Sequence, residues 1–216
     1  MTEEAKQREA ICRLSKSLYD RGLTSGASGN VSVRLSDGRL LVTPTNSCLG
    51  ALDPTRLSLL SSDGRLLDGD QPSKEMPLHV AFYETRKTKT SAVVHLHSTY
   101  AVALSMLPQM DEDNLLPPLT AYSVMRLGKV KLLPFFVPGD PSIGRAIRDL
   151  AGKRSAVVLA NHGAVVAGKD LASAIYAIEE LEETAKLALL LRGCNAKMLT
   201  DAQVNEIVSK FQVDWD

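Results

Sequence analysis

The sequence predicts a single α/β domain built on one antiparallel or mixed β-sheet with helices packed against it. Three observations lead there. Two turn signals, Asp37-Gly38 and Asp63-Gly64, each separate short apolar runs and mark β-hairpins. Later apolar runs at 92–97, 156–160 and 164–167 alternate with helical patterns. No linker, internal repeat or low-complexity segment divides the 216 residues, so 1–216 is read as one domain. Hairpins at the start of the sheet argue against a doubly wound dinucleotide fold.

The elements follow in order. Ile11, Leu14 and Leu18 fall at helical spacing, which predicts a helix over 3–21 stopped by Gly22. A loop of small residues, 24–30, leads into strands at 31–35 and 39–43, then 57–60 and 66–67. Pro77 suits the first turn of a helix reaching Arg86. Residues 92–97 read as a buried strand, followed by a helix through Val102 and Met106. The stretch 108–141 is rich in proline and reads as irregular. Residues 143–151 read as helix. The strands 156–160 and 164–167 are interrupted by Asn161-His162-Gly163. A long helix spans 171–191. Its acidic centre (Glu179, Glu180, Glu182, Glu183) reads as a solvated face or a subunit contact. A short helix over 200–211 closes the chain.

Composition excludes several classes of function. Lys plus Arg number 25 and Asp plus Glu number 25, so the formal net charge is zero. No basic run offers a footprint for nucleic acid or an anionic membrane. A small anionic substrate needs only local positive charge. No apolar stretch nears the roughly 20 residues of a membrane helix. The N-terminus is polar, without a signal-peptide core, so a cytoplasmic location is expected. Cys12, Cys48 and Cys194 are odd in number and far apart, which suits reduced thiols and neither a disulfide framework nor a zinc pair. The run 163–169 imitates a phosphate-binding P-loop, but Asp170 stands where a magnesium-binding Ser or Thr belongs.

The chain has four histidines, His79, His95, His97 and His162. His95 and His97 are two apart on a predicted strand, so their imidazoles share a face. His162 lies in a turn after another apolar strand. Three histidines with one open position match the chemistry of a catalytic zinc site. Glu75, in a loop just before a helix, is the candidate acid, as fourth ligand, general acid/base, or both in turn. His79, on the following helix, is read as structural or supporting.

The set Ser28-Gly29-Asn30, Thr43-Pro44-Thr45-Asn46, Ser73-Lys74-Glu75, His95-Leu96-His97 and Asn161-His162-Gly163 resembles the class II aldolase/adducin family, in order and spacing, from about residue 5 to 195. The resemblance implies a class II aldolase-like fold. It implies a divalent metal held by His95, His97, His162 and Glu75. Zinc suits these donors, and manganese or cobalt are alternatives. It implies that Glu75 is also the acid/base. Gly29, Asn30, Thr45, Asn46, Ser73 and Lys74 would then bind the substrate phosphate. The family resemblance further implies a homotetramer with the site at a subunit junction, where a neighbouring chain supplies a tyrosine; Tyr122 is the candidate.

Segments 43–54, 73–75 and 178–186 look like the 3-oxo-tetronate 4-phosphate decarboxylase branch. That likeness implies decarboxylation to dihydroxyacetone phosphate and CO2 through a metal-bound enediolate. The alternative is a sugar-phosphate aldolase of the fuculose-phosphate kind, which passes through the same enediolate. A pentulose-phosphate epimerase and an adducin-like module without catalysis stand behind these.

Overall fold

The computed structural model describes residues 1–215. Among them, the strands are β1 (Asn30–Arg34), β2 (Leu40–Val42), β3 (Ser58–Leu60), β4 (Leu66–Asp68), β5 (Ala92–Leu96), β6 (Lys131–Leu133), β7 (Ala156–Leu159) and β8 (Gly163–Gly168). They form one sheet in the order β4-β3-β2-β1-β5-β8-β7-β6. Only β6 and β7 pair in parallel; the other neighbours are antiparallel. The helices are α1 (Glu3–Asp20), α2 (Met76–Arg86), α3 (Thr99–Ser105), α4 (Ala121–Leu127), α5 (Ser142–Asp149), α6 (Leu171–Leu190) and α7 (Asp201–Phe211). None of them is long and apolar enough to cross a membrane.

Alternation along the strands sorts side chains into two cores. Val31 and Val33 of β1, with Ala92, Val94 and Leu96 of β5, pack with Ile11 and Leu18 of α1, Leu104 of α3 and Ile175, Ile178 and Leu181 of α6. The opposite face sends Leu40, Val42, Val93, Val157, Leu159 and Val165 against Leu78, Ala81 and Phe82 of α2 and Ile143 and Ile147 of α5. The result is a mixed sheet between two helical layers, a single α/β domain as the hairpin signals predict. Local chemistry sets the ends. Thr2 Oγ1 accepts from the Ala5 N–H to start α1, and Thr200 and Gln203 form a reciprocal capping box at α7.

Two expectations need correction. The stretch 108–141 is not wholly irregular, for it contains α4 and β6. The helix α4 is short, capped by Thr120, and buries Ser123, Val124 and Leu127. The strand β6 has three residues and owes its identity to pairing with β7, Leu132 opposite Val158. No local period announces a strand that short. The second correction concerns the acidic centre of α6. Glu182 is 7% exposed, and its carboxylate accepts the backbone N–H groups of Tyr100 at 2.8 Å and Ala101 at 2.9 Å. It therefore caps α3, the helix that begins two residues after His97. Its neighbour Glu179 instead pairs with Arg21 at the surface.

Two backbone N–H groups, that of Ala101 buried, lose their acceptor in a Glu182→Ala variant. Unfolding free energy from urea titration is expected to fall by about 1–3 kcal/mol. A loss within experimental error would show that the start of α3 does not need this carboxylate.

Candidate functional site

The site is assembled by strand alternation and short-range turns. Val93 faces the α2 layer, so His95 and, just past the end of β5, His97 point to the same side. Glu75 is the residue immediately before α2. The turn between β7 and β8 carries His162. Because β8 runs antiparallel to β5, with Leu96 opposite Ala164, this turn lies at the His97 end of β5. Two glycines allow the close approaches. A Cβ on Gly29, whose φ is +81°, would lie 2.8 Å from the His95 carbonyl oxygen. A Cβ on Gly163 would collide with the Leu96 carbonyl oxygen. Between the strands, Asn161 takes a left-handed φ of 58° and donates its N–H to Ser105 Oγ at 3.0 Å.

The ligand atoms of Glu75, His95, His97 and His162 lie within 4.8 Å of one another. His95 donates Nδ1–H to the Ala164 carbonyl at 2.9 Å, which leaves its Nε2 lone pair facing the cluster. His97 Nε2 lies 2.9 Å from His95 Nε2. Glu75 Oε2 accepts from Asn30 Nδ2 at 2.7 Å and is 3.3 Å from His95 Nε2. Glu75 Oε1 is 3.1 Å from His162 Nε2, but the two are not aligned as a hydrogen bond. Burial works to raise the Glu75 pKa, yet His162, His95 and Asn30 outweigh it and hold the carboxyl well below its usual range. Burial pushes the His95 and His97 imidazoles down, toward the neutral form that offers a lone pair.

These residues fit a divalent ion. Glu75 Oε1 and both ring nitrogens of His162 are buried and make no hydrogen bond. Leaving such atoms without partners is costly. Three imidazoles and a carboxylate also form a donor set suited to zinc.

A cavity of about 190 Å³ adjoins the cluster and is lined by Glu75, His97 and His162. Gly29, Asn30, Thr45, Asn46, Ser73 and Lys74, the six residues expected to bind phosphate, line it too. They come together because the loops after β2 and before α2 are bridged. Pro44 pairs with Pro72, and the Thr45 N–H donates to the Gln71 carbonyl at 2.9 Å. Asn30 does more than line the cavity, since its amide also holds Glu75. Pro138 and Gly139 line the cavity as well. Sequence reading left them in an irregular stretch, and the Pro138-Gly139-Asp140 turn was the available signal. Tyr122 lies elsewhere in the chain. It is 59% exposed on α4, with the Arg126 guanidinium 5.7 Å from its ring centroid. It does not line the cavity of its own chain, so any catalytic role requires a second copy.

The family model for the class II aldolase and adducin N-terminal domain matches residues 9–189. This chain belongs to the class II aldolase and adducin family. One family relative from Haemophilus influenzae, named 3-oxo-tetronate 4-phosphate decarboxylase, is 48% identical over 97% of this chain and 99% of its own length. The crystal structure of YgbL from Escherichia coli superposes with a TM-score of 0.92 at 45% identity, covering 95% of this chain and 99% of that one. An L-fuculose 1-phosphate aldolase superposes with a TM-score of 0.84 at 25% identity, covering 98% of each chain. The homologues' names and the family together make this chain a lyase.

The fully buried His79 on α2 allows a pH prediction. Burial pushes its pKa down to about 4. In the unfolded chain it titrates near 6.5. Between these values the unfolded state binds the extra proton, so stability present above about pH 6.5 is lost as pH falls toward 4. One such group contributes a slope of up to about 1.4 kcal/mol per pH unit. His95 and His97, also pushed down by burial, add to the slope, so His79→Gln should reduce the slope measured across that window by about one group's share. Equal slopes in the two proteins would exclude a neutral, buried His79.

Proposed function

We propose that this chain is a divalent-metal-dependent decarboxylase that converts a 3-oxo-tetronate 4-phosphate into dihydroxyacetone phosphate and CO2. The observation that carries the reading is a carboxylate with three imidazoles opening onto a cavity lined by hydroxyl, amide and ammonium groups. The name and full-length identity of the Haemophilus relative support decarboxylation as the reaction.

Glu75, His95, His97 and His162 are the residues that would hold the ion, and zinc is our assignment, with manganese or cobalt suited to the same donors. When bound, the ion supplies a Lewis acid that stabilises negative charge developing on substrate oxygen. Ser73, Lys74, Thr45 and Asn46, with the backbone at Gly29 and Asn30, hold the phosphate through hydroxyl, amide and N–H donors and one positive charge. The substrate has a carboxylate at C1, a hydroxyl at C2 and a ketone at C3. Cleavage of the C1–C2 bond releases CO2 and leaves the electron pair on C2. The pair delocalises into the C3 carbonyl as an enediolate. A proton added at C2 gives dihydroxyacetone phosphate. We assign that proton delivery to Glu75, which as a carboxylate first takes the proton from water in the cavity and then passes it to C2. Tyr122 is assigned to the site of a neighbouring copy in a homotetramer, which its exposure on α4 supports. The cysteines Cys12, Cys48 and Cys194 are unpaired, which suits the cytoplasm as the compartment.

An aldolase is the second reading, favoured by the superposition on the L-fuculose 1-phosphate aldolase. It uses the same enediolate and differs in expelling an aldehyde.

The test is CO2 release from both C2 epimers of 3-oxo-tetronate 4-phosphate, with and without chelator, while dihydroxyacetone phosphate is followed. Chelator-sensitive turnover of one epimer is expected. Metal binding without CO2 release from either epimer would replace the decarboxylase by the aldolase. In the active protein, Lys74→Ala is expected to raise KM by about 10- to 100-fold, the loss of one charged hydrogen bond, with kcat less affected. An unchanged KM would remove Lys74 from the phosphate site.

A further inference from the structure

A continuous row of buried polar groups runs from Glu75 into the core between α2 and β1. Glu75, His79 and Tyr83 are four residues apart, on one face of α2 and the turn before it. Asn30 and Ser32 are two apart, on the face of β1 opposite Val31 and Val33. Four helical residues rise about 6 Å and two strand residues rise about 6.7 Å. The two rows are nearly commensurate, so they interdigitate. Asn30 bridges Glu75 and His79, and Ser32 bridges His79 and Tyr83.

The chemistry of these groups fixes every hydrogen-bond direction. The ionised Glu75 can only accept, so the Asn30 amide presents Nδ2–H to Oε2 at 2.7 Å. Its Oδ1 then faces His79 and can only accept, so His79 Nε2 carries the proton. A neutral imidazole with Nε2–H has an acceptor at Nδ1, which takes the Ser32 hydroxyl proton at 2.8 Å. Ser32 Oγ in turn accepts from the Tyr83 hydroxyl at 2.8 Å. His79 is fully buried and Tyr83 nearly so, and burial pushes the Tyr83 phenol up, so it keeps the proton it donates. An amide does not relay protons as a hydroxyl or imidazole does. The row is therefore an orienting device and no proton path to solvent.

We infer that His79 is a positioning residue: its Nε2–H holds the Asn30 amide in the single orientation that offers Nδ2–H to Glu75, and so fixes the carboxylate among the three histidines. Without that donor Oδ1 is left buried with no partner, and the amide, no longer tied to α2 through His79, can swing away from Glu75. The inference rests on the proposed role of Glu75 in holding the metal and moving a proton.

The experiment compares the wild type, His79→Phe and His79→Gln. Phe keeps a ring of similar volume and supplies no donor. Gln supplies an N–H donor and a carbonyl acceptor. Each protein is checked for folding by thermal melting. Zinc affinity is measured by competition with a chromogenic chelator, and kcat and KM are measured on the phosphorylated substrate. His79→Phe is expected to bind zinc about 10- to 100-fold more weakly and to lose kcat over a similar range, as outer-shell changes do. KM is expected to move less than kcat, and His79→Gln to recover most of both losses. A folded His79→Phe with wild-type zinc affinity and kcat overturns the inference. Equal losses in the Phe and Gln variants overturn it as well, because they assign His79 a packing role only. A wild type that binds no divalent ion sinks the metal reading instead. In that event crystal structures of the wild type and His79→Phe decide the inference, by whether the Asn30 amide leaves Glu75.

Discussion

Side-chain alternation along β5 is the constraint on which the site depends. Ala92, Val94 and Leu96 enter the core shared with α1, α3 and α6, while Val93 packs against α2 and α5. His95 and His97 must then look toward the α2 layer. A shift of one residue in the pairing of β5 would send both imidazoles into the other core. The register is held on both sides, Asn30 opposite His95 on β1 and Val165 opposite His95 on β8. The same two ladders deliver the partners of the histidines. The β1 ladder brings the Asn30 amide to Glu75, and the β8 ladder brings the His162 turn and the Ala164 carbonyl that orients His95.

This arrangement concentrates groups that ordinary packing would disperse. A carboxylate and three imidazoles share a small volume, and several of their polar atoms find no protein donor or acceptor. Such a cluster opposes folding unless an ion occupies it or the surroundings compensate. The surroundings are accordingly rigid. Buried strands stand on each side of β5, Glu182 clamps the helix that follows His97, and the Gly29 and Gly163 contacts leave no room for a side chain. The cavity-lining loops are built differently. They are tied to each other by the Pro44–Pro72 bridge, and the loop after β2 is anchored to the core through Leu49. The histidine end of the site thus rests on strands, while the end lined by Thr45, Asn46, Ser73 and Lys74 rests on loops.

Much of the fold was legible because its signals are local. The Asp-Gly turns, the helix over the first twenty residues and the apolar runs each reveal an element without reference to the rest of the chain. The His95–His97 pair was legible for the same reason, since strand alternation alone puts the two rings on one side. What escaped is what only tertiary contact defines. The strand β6 has no period of its own, and α4 is too short to show one. Glu182 sits in an acidic run that reads as solvated, and only the approach of α3 reveals the buried carboxylate. The cavity-lining segments 29–30, 45–46 and 73–75 lie far apart in sequence. Their convergence was readable from family resemblance, and the residues themselves give no spacing rule for it. Asn30 was expected to serve phosphate, and its grip on Glu75 follows from a pairing of β1 with α2 that no single window contains.

Decarboxylation and aldol cleavage meet at the enediolate, and this explains how one fold serves proteins named for either reaction. In both, an electron pair left on carbon must be spread onto oxygen, and under the proposed function the groups that favour it are those around the Glu75 and histidine cluster. The leaving group differs. Carbon dioxide departs as a small neutral molecule, whereas an aldehyde needs room and a base to take the proton from the hydroxyl that becomes its carbonyl. Under the proposed function, discrimination between them falls to the cavity wall beyond the cluster, where Lys74, Pro138 and Gly139 meet. A fold held by strand alternation and helix spacing tolerates change at such positions, since Lys74 and Pro138 are exposed and Gly139 is only half-buried. That tolerance is consistent with the aldolase superposing at a TM-score of 0.84 with only 25% identity.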